Sequence, residues 1–144
     1  MNRLPQNMLR STILVLLLAG AAFATDLKIT DSTNTVILLH DAFIDYGGLM
    51  GDKETDGIRI YQGEAMVTAR WANIRSLTMT GKDSSQPPRL LADIVPKRGP
   101  KIATALVTKG RMKLSGKTDL GDYTIDIEKI RVIEPQESRS NAQK

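Results

Sequence analysis

Along KGRMKLSGKTDLGDYTIDIEKIRVIE, residues 109–134, the apolar positions change period. Met112 and Leu114 alternate with Arg111, Lys113 and Ser115, and Tyr123, Ile125 and Ile127 alternate with Thr124 and Asp126. A period of two puts such side chains on one face of a strand. Ile127, Ile130 and Ile133 then follow at spacings of three, which predicts a strand, one tight helical turn and another strand. Thr118, Asp119, Leu120, Gly121 and Asp122 join the two alternating runs and are rich in turn formers.

A distorted copy of this pattern occupies residues 57–78. At an offset of 56, Val67, Ala69 and Trp71 fall on Tyr123, Ile125 and Ile127, while Ile74 falls on Ile130 and Leu77 on Ile133. Thr68 then matches Thr124, and Arg75 matches Arg131. Before the turn an offset of 54 matches Ile58 and Ile60 with Met112 and Leu114, so the second copy is expected to have the longer turn by two residues. A shared in-out pattern on both sides of a turn predicts a structural repeat. Trp71 and Ile127 should then both point into the core, each at a strand end before a tight turn. Ile74 and Ile130 should close that core, with Thr68, Thr124, Arg75 and Arg131 facing away.

The remaining runs are also short and β-like. Residues 27–30 alternate, 31–34 make a turn, and 35–45 carry Val36, Ile37, Leu38, Leu39, Phe43 and Ile44. Glycines 47, 48 and 51 open a loop over 47–57, long enough to be mobile or functional. Residues 89–95 and 101–108 read as strands around a turn at 96–100, and Pro135 is expected to end the last strand. GKDSSQPP, ending in a diproline, separates the two copies. No segment after residue 24 carries a long amphipathic helical pattern. The expected organisation is all-β: a first β repeat over 25–81, a linker over 82–88, a second β repeat over 89–135 and a frayed tail over 136–144. Two tandem five-stranded barrel-like repeats packed together are the first expectation, and a single β-sandwich the alternative.

Met112, Leu114, Tyr123, Ile125, Ile127, Ile130 and Ile133, with their weaker first-half partners, resemble the strand order of small SH3-like and Sm-like barrels. The stretch TDLG-x-Y-x-I followed by KI is similar to exported bacterial proteins of unassigned function built from such repeats. The resemblance implies the barrel fold and little about function. The aspartate and asparagine loop motif of RNA-binding Sm-like proteins has no match here.

The first residues change the picture of charge and compartment. Arg3 and Arg10 precede an apolar run from Ile13 to Ala19, and Ala22-Phe23-Ala24 is a small-x-small site. This predicts a secretory signal peptide over 1–24, cleaved before Thr25. The run is shorter than the ~20 residues of a membrane-spanning helix, and no cysteine follows it to accept lipid. Without Arg3 and Arg10, 18 basic groups face 16 acidic ones, a balance that gives no nucleic-acid signal. The chain has no cysteine, which excludes disulfides, thiolate metal sites and cysteine catalysis. The expected localisation is periplasmic or extracellular.

Candidate chemistry is thin. His40, the one histidine, sits beside Asp41 in a β-like run, and no G-x-S-x-G context supplies a nucleophile. A structural role is expected for it, and a hydrolase ranks last. Asp52, Glu54 and Asp56 before Gly57 resemble the opening of a calcium loop. The twelfth position is Gly63, where a bidentate glutamate belongs, and strand sequence follows instead of helix. A solvated acidic loop is the first reading and calcium the second. Lys97, Arg98, Lys101, Lys109, Arg111 and Lys113 gather basic charge in the second half, with acids interspersed and few aromatics to stack bases.

These features lead to a non-enzymatic binding or assembly module of the cell envelope, with no catalytic, cofactor or metal residues assigned. A protein or envelope component is the expected partner, and nucleic acid is not. The alternative is a calcium- or glycan-dependent ligand-binding protein using the 47–57 loop.

Overall fold

The computed structural model describes residues 25–108 and 111–137. The signal-peptide expectation for 1–24 and most of the tail expectation for 136–144 lie outside the described residues. The protein is all-β. The strands are β1 (Asp26–Asp31), β2 (Val36–Asp45), β3 (Lys53–Glu54), β4 (Gly57–Gln62), β5 (Ala65–Arg70) and β6 (Ile74–Lys82). They continue as β7 (Leu90–Pro96), β8 (Ile102–Ala105), β9 (Lys113–Thr118), β10 (Gly121–Asp126) and β11 (Ile130–Gln136).

Nine strands form one antiparallel sheet that does not close, in the order β10-β9-β2-β1-β11-β6-β7-β8, with β3 beside β2. The β4-β5 hairpin is a separate pair, tied to the end of β8 by the bridge between Ile60 and Leu106. The Val107 N–H donates to the Arg59 carbonyl (2.9 Å), and the Thr104 hydroxyl to that of Tyr61.

The halves drawn from sequence, 25–81 and 89–135, are not the pairing groups. The N-terminal hairpin β1-β2 pairs with C-terminal strands, β1 on β11 and β2 on β9. Correspondingly, β7 pairs with β6, and β8 reaches β4. Residues 82–88 do not separate two sheets. They connect antiparallel neighbours, and Lys82 opposes Leu90. Asp83 organises this connection by accepting the Arg89 and Ser85 N–H groups (2.8 and 3.0 Å) and the Ser85 hydroxyl.

The predicted hairpins are both present, and one detail is corrected. Ile58 opposes Ala69 and Leu114 opposes Ile125, while Ile60 opposes Val67 and Gly116 opposes Tyr123. The equivalence is therefore 56 residues throughout: Ile58 corresponds to Leu114 and Ile60 to Gly116. Both turns contain two residues, Gly63-Glu64 and Asp119-Leu120. The offset of 54 matched apolar residues by type, whereas backbone pairing sets register.

Each hairpin ends in a 3-10 turn, Trp71–Asn73 or Ile127–Lys129. The Trp71 N–H donates to the Asp56 carbonyl (2.8 Å), and the Ile127 N–H to that of Met112 (3.0 Å). Trp71 is 3% exposed and Ile127 2%. Ile74 and Ile130 are buried beyond the turns, and Thr68, Thr124, Arg75 and Arg131 are exposed. Leu77 and Ile133, also 56 apart, oppose each other where β6 meets β11.

The core runs through both groups, joining Leu27, Ile29, Leu39 and Ile44 to Ile58, Trp71, Leu77 and Leu114. A bulge between His40 and Phe43 breaks the β2-β9 ladder, with Asp41 at φ 51°. Gly116 faces this bulge: a Cβ there would lie 2.9 Å from the His40 carbonyl oxygen. Pro135 does not end β11, since it lies within the strand opposite Leu27. Among the described residues the β6 pairing covers only Val132 and Ile133, so Pro135 lies beyond it, at an edge where proline is tolerated. β8 is shorter than the run 101–108 suggested.

Candidate binding loop and basic cleft

The 47–57 loop is exposed over most of its length, as its composition suggests, but its base is tied down. The Tyr46 N–H donates to the Asp52 carbonyl (2.8 Å), closing a short loop. Asp52 holds the Arg59 guanidinium with two bonds of 2.7 Å. That guanidinium stacks over the Tyr46 ring, 4.3 Å from its centre, and the Arg59 N–H donates to the Tyr46 hydroxyl (2.8 Å). Burial holds the Tyr46 phenol above its ordinary pKa, so it remains a neutral acceptor. β3 adds a second tie, pairing Lys53 and Glu54 with Asp45 and Ile44.

Gly47, Gly48 and Gly51 take φ of +78°, +95° and +65°, the left-handed region that glycine enters without steric cost. The chain thereby turns sharply enough to hold Leu49 and Met50 fully in solvent. Nothing in the spacing of Tyr46, Asp52 and Arg59 marks them as a cluster in the sequence.

Asp52, Glu54 and Asp56 do not converge. The Asp52 side chain engages Arg59, Glu54 accepts the Asp56 N–H (3.2 Å), and Asp52 and Asp56 are exposed. Among the described residues, no group of three or more histidine, cysteine, aspartate or glutamate side chains is placed to hold a metal ion. His40 is half-buried, with Nδ1 3.2 Å from the Asp26 carboxylate. This contact links β2 to β1. The Ser115 hydroxyl is occupied with Thr124 (3.0 Å), and that of Ser85 with Asp83 and the Pro87 carbonyl.

The basic residues of the second half disperse. Lys97 and Arg98 lie in the turn after β7, and Lys101 reaches Asp93 at 3.6 Å. Lys109 lies outside the described residues. Arg111 and Lys113 meet Lys82, far off in the sequence, and Lys129 around a cleft of about 580 Å³. Leu90, Met112 and Ile127 supply its apolar lining, and Asp126 and Glu128 temper its charge. Lys82 pairs with Glu128 at 3.2 Å. The arrangement suits a ligand with an apolar portion and an anionic end.

Comparison with known proteins adds no relative: no protein-family model, curated protein or solved structure matches the chain. No helix among the described residues is long and apolar enough to cross a membrane.

Proposed function

We propose that this chain is an exported, non-enzymatic binding or assembly module of the cell envelope, and that it meets a protein partner through Leu49 and Met50. The observation that carries this reading is the fully exposed Leu49-Met50 tip on a loop closed by Tyr46, Asp52 and Arg59. An exposed apolar pair gains nothing from water, and holding it in place lowers the entropy lost on insertion into a partner's pocket. The periplasmic or extracellular location rests on the leader pattern of residues 3–24.

In this reading the scaffold is two interleaved small barrel-like units. One comprises β9, β10, β11, β1 and β2, and the other β4 to β8. The 56-residue correspondence and the pairing of β7 and β8 with β6 and β4 support that grouping.

Photo-crosslinking in cells tests the function. A photoreactive residue at position 49 should give one discrete envelope-protein adduct, and the same probe at Lys97 should give none. Absence of an adduct at position 49, or equal adducts at both positions, would refute the proposal.

A further inference from the structure

The two hairpins end in edge strands of opposite character. Among the described residues, β5 pairs only with β4, and β10 only with β9. Because Gln62 and Ala65 flank a two-residue turn, Ala65, Val67 and Ala69 direct their backbone groups at β4. Met66, Thr68 and Arg70 therefore direct theirs outward. On β10 the corresponding outward positions are Asp122, Thr124 and Asp126. Two carboxylates along that edge discourage strand addition. β5 carries no acidic residue, has the strand formers Val67 and Thr68, and leaves Met66 60% and Val67 38% exposed.

We infer that the β5 edge pairs antiparallel with the β5 edge of a second copy of this chain. A two-fold axis at Val67 satisfies the backbone parity. Val67 then opposes its own copy in a non-hydrogen-bonded pair, and outward-facing Met66 and Thr68 oppose each other in hydrogen-bonded pairs. The same register sets Glu64 opposite Arg70 of the other copy, twice over. Neither Glu64 nor Arg70 makes an ion pair among the described residues. The edge is thus self-complementary in backbone, apolar contact and charge, as an isologous interface requires. Residues 64–70 of each copy make a small interface, so the dimer is expected to exchange with monomer. This inference does not depend on the Leu49-Met50 reading.

Light scattering across a concentration series of the purified protein tests it. The wild type should pass from monomer to dimer. Thr68→Pro removes an outward N–H without touching the β4 ladder, so it should stay monomeric with unchanged circular dichroism and melting. Thr124→Pro, at the matching place on β10, should still dimerise. Glu64→Arg or Arg70→Glu should each weaken the dimer about tenfold, roughly the cost of trading two ion pairs for two repulsions. The double variant should recover it. A wild type monomeric throughout, or a dimer indifferent to Thr68→Pro, overturns the inference. So do assemblies that lengthen with concentration and dissolve on Asp122→Lys, since they would mark head-to-tail pairing of β5 with β10.

Discussion

The β4-β5 and β9-β10 hairpins share one backbone plan and differ in what surrounds them. Both have two-residue turns, both end in a 3-10 turn, and both anchor that turn by an equivalent backbone hydrogen bond. Yet Trp71 stands where Ile127 does, and Ile60 where Gly116 does. The turns are also made differently: Gly63 has φ +63°, whereas neither Asp119 nor Leu120 has positive φ. A hairpin's course is therefore insensitive to the size of its anchor residue, provided that residue is apolar and in register. The neighbouring strand decides the rest. β9 runs against a bulged β2 and needs a glycine at 116, while Ile60 of β4 bridges Leu106 beyond the end of β8.

The anchors offer the strongest way to break this comparison. Trp71→Ala should destabilise by about 3–5 kcal/mol and Ile127→Ala by about 2–5 kcal/mol, read by denaturant unfolding. A negligible loss at either anchor would break the equivalence.

Gly116→Ile installs the side chain of its counterpart Ile60. It should cost about 1–3 kcal/mol by overpacking against the His40 carbonyl. Ile60→Val, with no such contact forced, should cost about 0.5–1.5 kcal/mol. If Gly116→Ile melts like the wild type, the bulge does not account for the glycine.

Tyr46→Phe removes the hydroxyl that accepts the Arg59 N–H and should cost about 1 kcal/mol. Faster proteolysis within 47–52 would locate the loss. Because the folded Tyr46 pKa is raised, its contribution is complete below the unfolded value near 10 and is lost as pH climbs through the folded value. Alkaline titration should therefore loosen this loop while the hairpins persist.

Acid should act on different turns. The Thr33 hydroxyl and the Thr33 and Thr35 N–H groups lower the Asp31 pKa, and the Ser85 hydroxyl with the Ser85 and Arg89 N–H groups lowers that of Asp83. Folded pKa values below 3.8 mean that both turns keep these bonds above that pH and lose them as pH falls through the lower folded values. Amide shifts of Thr33 and Ser85 should move together below about pH 4, the unfolded carboxylate range. Arg75→Ala marks the small end of the scale and should stay within about 0.5 kcal/mol, since its side chain is exposed.

Sequence alone determined what is local. The period-two runs, the switch to spacings of three at Ile127 and Trp71, and the burial of Ile74, Leu77, Ile130 and Ile133 were legible because side-chain direction follows backbone period. Contacts between distant segments were not. By residue type alone Ile58 aligns with Met112, and only the ladder shows that Ile58 corresponds to Leu114. The pairing of β1 with β11 joins residues about a hundred positions apart, and no local pattern encodes that choice. The Tyr46-Asp52-Arg59 clamp and the cleft shared by Lys82, Arg111, Lys113 and Lys129 belong to the same class. Periodicity records which face of a strand is apolar, whereas strand neighbours are chosen by which apolar faces and free edges the whole chain brings together.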